Sequence, residues 1–294
     1  MSKLTRAAVT NQPLFVTSEM PILKAAKTMS RFGIGSLLVQ HSREDSEVIG
    51  LITERDVTER VKVHGGYTRN HLVRDAMSPD DFYCSEQWKL ERCLQILFDA
   101  NVRHVPIVGM GGVVNALLSV PDVCRAITAD VIQGVKPAEP HTLADVLHPP
   151  QRDKHAIDLP PMLPFISQVA GAVPTVSDAV ARMCEDGRGS VVVCAESSGS
   201  REPLLGLFTE RDLVRHLGQS GASPPDSWMQ TPISEHMTPA PELIWLDASV
   251  GAFDALSLLA QRGGSHLLVG GGPGEPCQGV VSMFALLRHV IDNA

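Results

Sequence analysis

The heptapeptide Gly50-Leu51-Ile52-Thr53-Glu54-Arg55-Asp56 returns 156 positions later as Gly206-Leu207-Phe208-Thr209-Glu210-Arg211-Asp212, with one residue changed. Each copy runs into an apolar-periodic segment. A repeat of this kind constrains the fold before any other feature, because each copy is one supersecondary unit that buries its apolar face against its neighbours. Thr and Asp three residues apart at a strand-to-helix junction can also hold the hydroxyls of a sugar.

Two weaker copies follow the same plan. Gly112 to Asp122 keeps Ser119-x-x-Asp122, whereas Gly279 to Ala285 keeps Ser282 but has Ala285 in the acidic position. A helix-like stretch and then a short apolar run precede each copy: Ile22–Met29 and Ser36–Val39, Leu90–Asp99 and Val105–Val108, Val176–Met183 and Ser190–Val193, Ala252–Ala260 and His266–Val269. Apolar residues at i, i+3, i+4 and i+7 predict the helices, and short apolar runs after turn residues predict buried strands. Each unit therefore reads strand, helix, strand, turn, strand, helix. This is an α/β class with α+β character, in which small mixed sheets are covered by helices.

Units one and two are expected at roughly 10–66 and 67–129, and units three and four at roughly 160–219 and 230–294. A proline-rich linker, 130–159, separates the pairs and continues to Pro160, Pro161 and Pro164. It should be extended and stiff, since proline fixes φ and lacks a donor. A helical turn ending at proline precedes units two, three and four, at Val73–Pro79, Leu143–Pro149 and Ile233–Pro239, and should lead into each first strand. Unit three is expected to carry an insertion at 150–163.

At 44% hydrophobic, the chain can build real cores. Its net charge of −8 argues against general nucleic-acid binding, which wants a basic surface. It has no apolar run long enough for a membrane helix, so no membrane partner is expected. Six scattered cysteines without a C-x-x-C pair read as reduced, mostly buried thiols of an intracellular, cytoplasmic protein. The start carries Lys3 and Arg6 and no acid through Val16, a faint hint of an organelle transit segment.

Taken in order, the turn ending in proline, strand, amphipathic helix, short strand, G-h-h-T-x-x-D and helix resemble the cystathionine β-synthase (CBS) domain. Four such units look like two tandem Bateman modules, each paired about a pseudo-two-fold axis. The resemblance implies clefts for adenosine compounds (AMP, ADP, ATP or S-adenosylmethionine) as regulatory ligands rather than catalytic cofactors. It also implies that helix faces meet another module, either in a disc within the chain or in a homodimer, and that the signal reaches a protein partner.

The T-x-x-D residues carry two readings. Thr53, Ser119 and Thr209 are N-cap residues with an acid three positions on, which is a capping box built with Asp where Glu or Gln is usual. Alternatively, Asp56, Asp122 and Asp212 accept hydrogen bonds from ribose 2′- and 3′-hydroxyls beside a helix N-terminus that suits phosphate. Both hold together if the hydroxyl caps while the carboxylate faces outward. Ala285 cannot hold a ribose, so unit four should lack its own site. Arg55 and Arg211 are candidate phosphate ligands from inside the motif. The resemblance adds Arg103 and His104 before the second unit's central strand, with Arg188 in the corresponding place of unit three. It suggests Val16-Thr17, Phe82-Tyr83-Cys84 and Ile166 to Val169 as adenine contacts, although core packing is the plainer role for all of them.

No P-loop, G-x-G-x-x-G after a strand, H-E-x-x-H or G-x-S-x-G occurs, so no enzyme activity and no catalytic residue are expected. His141, His148 and His155 recur every seven residues without metal-ligand spacing, and Cys84 and Cys93 read as core. Gly109 to Gly112 and Gly270 to Gly274 read as hairpin turns. The expected function is adenine-nucleotide sensing. The rivals are a ligand-free structural subunit of a larger complex and a redox or transporter regulator that uses its thiols or its linker.

Overall fold

Repetition of a single αβ unit organises the computed structural model, which describes residues 12–63, 71–79, 83–129, 142–147, 165–167, 173–195, 204–219, 226–275 and 277–293. Unit one comprises β1 (Phe15–Thr17), α1 (Ile22–Phe32), β2 (Ser36–Gln40), β3 (Gly50–Thr53) and α2 (Glu54–Val63), followed by β4 (Ser78–Pro79). Unit two comprises β5 (Cys84–Ser85), α3 (Leu90–Asp99), β6 (His104–Val108), β7 (Val114–Ser119) and α4 (Val120–Thr128). A short helix, α5 (Leu143–Leu147), comes before unit three: β8 (Phe165–Ser167), α6 (Val176–Glu185), β9 (Ser190–Cys194), β10 (Leu204–Thr209) and α7 (Glu210–Gln219), then β11 (Thr238–Pro239). Unit four comprises β12 (Trp245–Leu246), α8 (Ala252–Arg262), β13 (His266–Val269), β14 (Gly279–Ser282) and α9 (Met283–Asp292).

Local sequence explains the elements. Helix α1 buries Ile22, Ala25, Ala26 and Met29, the i, i+3, i+4, i+7 stripe, and Gly33 ends it at φ 64°. In every unit the first strand pairs parallel with the central strand, which pairs antiparallel with the third. The parallel pair needs the helical crossover, and the antiparallel pair needs only a hairpin. Between β6 and β7 the hairpin turns at Gly111 and Gly112, with φ of 91° and 80°, as expected for a glycine turn.

The turns ending at proline dock differently from the sequence expectation. Residues 71–79 complete unit one: Ile22 N–H donates to His71 O (2.9 Å), Val73 N–H to Met20 O (2.8 Å), and β4 pairs with β3. Residues 231–239 complete unit three in the same way, with Ile233 N–H donating to Pro174 O (2.8 Å) and β11 pairing with β10. The third copy, Leu143–Leu147, docks on unit four, where Leu143 N–H donates to Val250 O (2.8 Å). Proline at the ends of β4 and β11 fits an edge strand, where its missing donor costs no ladder bond. The edge strand also accounts for the glycine that opens the heptapeptide. A Cβ on Gly50 or Gly206 would lie 2.5 Å from Ser78 O or Thr238 O. The linker prolines, the predicted 150–163 insertion and His141, His148 and His155 lie outside the described residues.

By contacts, the elements form two bodies of alternate units, where the sequence order suggests pairs of consecutive ones. The first body holds units one and three; Val16, Met29, Ile52, Val73, Val180, Phe208 and Leu213 are among its core residues. The second holds units two and four, with a core that includes Leu97, Ile107, Leu118, Leu143, Leu259 and Leu287. In the first body α1 packs closely on α7, and Gly218 makes this possible: a Cβ there would overlap the Ser30 side chain. Replacing Gly218 with Ala should therefore destabilise the protein by about 1–3 kcal/mol through overpacking, against the ~0.5–1 kcal/mol that helix propensity alone would add in its favour. Urea denaturation of the two proteins reads the sign directly.

Candidate functional site

Each unit turns from its third strand into its last helix through one N-cap residue. The first helical N–H reaches back to the carbonyl just before the central strand: Glu54 to Gly35 (3.0 Å), Val120 to Arg103 (3.1 Å), Glu210 to Gly189 (3.0 Å) and Met283 to Ser265 (2.8 Å). The T-x-x-D residues sit on these turns.

In unit one, the Thr53 backbone N–H and hydroxyl both donate to Asp56 Oδ2 at 2.7 Å, and Asp56 N–H donates back to Thr53 Oγ1 at 3.3 Å. Unit three repeats the arrangement with Thr209 and Asp212 at 2.9, 2.7 and 3.2 Å. In unit two, Ser119 donates to Asp122 Oδ2 at 2.6 Å and accepts from Asp122 N–H at 3.3 Å. In unit four, Ser282 accepts from Ala285 N–H at 3.2 Å. Despite its shorter side chain, Asp closes the box in units one and three. Only half of the carboxylate is left to face outward, because Oδ2 caps and Oδ1 remains.

What Oδ1 meets differs between units. Asp56 Oδ1 accepts from the Ser78 hydroxyl at 3.2 Å. Asp212 Oδ1 accepts from Arg215 Nη1 at 3.0 Å, and Asp122 Oδ1 pairs with Arg125. The position three residues beyond the acid is Glu59 in unit one, Arg125 and Arg215 in units two and three, and Arg288 in unit four. Burial raises the Asp56 carboxyl above the ordinary carboxylate range, against the opposing Thr53 and Ser78 hydrogen bonds, and Glu59 adds to the rise. Burial raises Asp212 too, opposed by Thr209, Arg215 and Arg211. Ser78, Arg125 and Arg215 could not be picked out as site residues from the heptapeptide alone. The (i, i+3) spacing within the helix is the signal that points to the arginines.

The arginines inside the motif are engaged across the first body. Arg55 Nε meets Glu210 Oε1 at 3.4 Å, and Arg211 Nε meets Glu54 Oε1 at 3.2 Å. The two copies of Thr-Glu-Arg-Asp thus exchange ion pairs about a pseudo-two-fold axis. Glu210 is 5% exposed and folds over Gly189, where any Cβ would collide with its carboxylate. In the second body the equivalent residues are Val120-Pro121 and Met283-Phe284, and Phe284 meets Phe98 edge-on at 5.6 Å.

His104 opens β6 opposite Ser119, and its counterpart in unit four is His266, opposite Ser282. His266 is buried, and burial, with the Arg103 charge adding, lowers its pKa to about 3. The sequence did not single it out, because Ser265-His266 shares no side-chain type with Arg103 at the first position. Register also corrects the placement of Arg188. Ser190 lies opposite Thr209 as His104 lies opposite Ser119, so Gly189, and not Arg188, occupies the Arg103 position. A one-residue offset changes which way a side chain faces, and four-residue apolar runs do not fix it. Burial lowers the pKa of Arg188. Of the adenine candidates, Val16 and Cys84 are buried in the cores, Thr17 is half-buried and Tyr83 is exposed. Phe82, Gln168 and Val169 lie outside the described residues, as do the side chains of Ile166 and Ser167. Among the described residues no group of three or more His, Cys, Asp or Glu side chains could hold a metal, and no helix is long and apolar enough to cross a membrane.

Comparison with known proteins agrees with the repeat. The CBS domain model matches residues 6–63 and 73–129. A 17.7 kDa uncharacterised protein of Acidianus ambivalens is 31% identical over 139 residues, 47% of this chain and 81% of that one. The mitochondrial CBS domain-containing protein CBSX3 of Arabidopsis thaliana is 28% identical over 116 residues, 39% of this chain. The matched region is 56% of CBSX3's own length. A solved structure from Methanocaldococcus jannaschii, described as a putative archaeal homologue of g-AMPK, has a TM-score of 0.72 at 17% identity and covers 96% of this chain and 98% of its own. The chain belongs to the CBS-domain family. Units three and four repeat the element order of the two matched units.

Two outcomes follow from the site's electrostatics. A double-mutant cycle on Arg55→Ala and Glu210→Gln should return a coupling of about 0.5–1 kcal/mol, kept small because Arg55 is one-third exposed. Because its folded pKa is raised, ionised Asp56 costs stability above that pKa, and the cost disappears as pH falls through it. Any stability advantage of Asp56→Asn over wild type should therefore be largest near neutral pH and shrink on acidification, as read by urea titrations from neutral pH down to about pH 4.

Proposed function

We propose that this protein is a regulatory adenine-nucleotide sensor that uses its strand–helix junctions to hold the ribose. The observation that carries the reading is the placement of Asp56, Asp122 and Asp212. Each is fixed by its own N-cap, with Oδ1 at the start of a helix. A carboxylate whose position is already fixed loses little entropy on accepting a hydroxyl, and the helix N-terminus favours an anionic group nearby. Membership of the CBS-domain family supports an adenosine ligand such as AMP, ADP, ATP or S-adenosylmethionine. Arg103 and His104 are the proposed phosphate contacts. Arg55 and Arg211 serve the first body's internal ion pairs, and a ligand phosphate would compete with Glu210 and Glu54 for them. Ala285 gives unit four no ribose acceptor.

Ligand binding would act by population shift, favouring one packing of the repeats by as much as the ligand prefers it. The readout goes to a protein partner or a second copy of the chain, and the proposal assigns no catalytic step. A second reading, a structural subunit without ligand, draws support from Ala285 and from the arginines already bound to Asp122 and Asp212.

Isothermal titration of AMP, ADP, ATP and S-adenosylmethionine separates the two. The sensor reading expects saturable binding that weakens by roughly tenfold or more when Asp56 or Asp212 becomes Ala, the loss of a charge-assisted bond pair. A folded protein that binds none of the four favours the structural subunit.

A further inference from the structure

Units one and three carry nearly the same heptapeptide, so any difference between the two junctions of the first body comes from the residues around it. Two of those surroundings match. At the positions that Arg103 and His104 hold in unit two, unit one has Gly35 and Ser36, and unit three has Gly189 and Ser190. Opposite Leu51 and Leu207 the edge strands place Ser78 and Thr238, both hydroxyl residues. The contrast lies one turn into the helix, three residues past the acid, with Glu59 in unit one and Arg215 in unit three.

Arg215 Nη1 donates to Asp212 Oδ1 at 3.0 Å; the arginine side chain is 52% exposed and the aspartate 5%. Arg125 meets Asp122 in the same way, with exposures of 44% and 5%. In unit one Asp56 Oδ1 accepts from the neutral Ser78 hydroxyl, Asp56 is half-buried, and Glu59 is exposed. Unit four shows that the acid, and not the helix, holds the arginine in place. With Ala285 there, Arg288 turns to Asp292 at 3.7 Å and lies 5.8 Å from the centre of the Phe98 ring. A ribose hydroxyl arriving at Oδ1 therefore competes with a guanidinium in unit three and with another hydroxyl in unit one. A displaced Arg215 loses its counter-charge at a half-exposed position, and a phosphate replaces that counter-charge where a cation would repel it. In unit one an added anion meets Asp56 and Glu59, and an added cation relieves their repulsion. The carboxyls register these charges: Glu59 adds to the rise at Asp56, and Arg215 opposes the rise at Asp212.

Resting on the adenine-nucleotide reading above, we propose that Arg215 and Glu59 are specificity residues that sort ligands by the charge of the 5′ group. The unit-three junction takes adenosine 5′-phosphates, and the unit-one junction takes adenosine compounds whose 5′ substituent is uncharged or cationic. Arg125 gives unit two the preference of unit three. The first body thereby reads two ligand classes through two copies of one motif, and the choice is made by a single helix position in each.

The test is isothermal titration of the full chain with AMP and with S-adenosylmethionine, using Arg215→Gln and Glu59→Arg. Both substitutions change side chains that reach solvent. Arg215→Gln should weaken AMP binding about three- to tenfold and leave S-adenosylmethionine nearly unchanged, whereas Glu59→Arg should weaken S-adenosylmethionine by a similar factor. In an Asp212→Ala background Arg215→Gln should have no further effect on AMP, because the arginine acts at the site that Asp212 builds. The proposal is overturned if neither substitution moves the ratio of the two affinities, or if Arg215→Gln tightens AMP, which would make the arginine an internal competitor alone. An effect of Arg215→Gln that persists without Asp212 also overturns it, since that is a general surface charge. A wild-type chain that binds neither ligand brings down the sensor reading and this inference together; binding with an unmoved ratio brings down this inference alone.

Discussion

One hydrogen bond recurs in every unit and the rest of the architecture hangs on it: the first N–H of the last helix bonds to the carbonyl just before the central strand. It fixes where the helix starts relative to the sheet, and so where the N-cap side chain and the residue three places on must point. A buried helix end without a partner would be costly, and here the sheet itself supplies that partner. The Thr–Asp or Ser–Asp exchange then meets further needs of the same turn. The candidate site is therefore a by-product of ending a strand and starting a helix in the tightest available way. This is why structural and binding roles can share one side chain, with Oδ2 serving the fold and Oδ1 facing the site.

The same junction has been given different chemistry in the two bodies. In the first, Glu54, Arg55, Glu210 and Arg211 exchange ion pairs between units that are nearly identical in sequence. In the second, Val120, Pro121, Met283 and Phe284 take the equivalent places; Val120 and Met283 are buried in the core and Phe284 packs edge-on against Phe98. Charge exchange is directional and fixes a register. Apolar packing tolerates more variation in shape. The near-perfect repeat of the heptapeptide follows: a reciprocal ion pair needs Glu and Arg in both copies, whereas an apolar contact accepts Val in one and Met in the other.

Much of this was legible in the chain. The helices and central strands lie where the 3.6-residue stripes and the apolar runs put them, because burial of one face dictates those periods locally. The N-caps were legible too, since Thr or Ser before an acid at the third position is a local pattern. The partners of the acids were not. Ser78 reaches Asp56 only because β4 folds back onto β3, and Arg188 misses the Arg103 position because strand register is set by pairing across the sheet. Whether Arg55 would face a ligand or a carboxylate depended on Glu210, 155 residues away.

By itself, the sequence determined that the chain is four copies of one αβ unit, where each unit turns from strand to helix, and which copy lost its acid. These are matters of hydrophobic period and capping, settled within a few residues of chain. Tertiary structure alone decided which unit each turn ending in proline completes and that units one and three share a core. It also decided that the motif's arginines answer the other copy's glutamates. Those outcomes rest on pairing between distant segments, where several partners of equal local merit compete and only the packed whole selects among them.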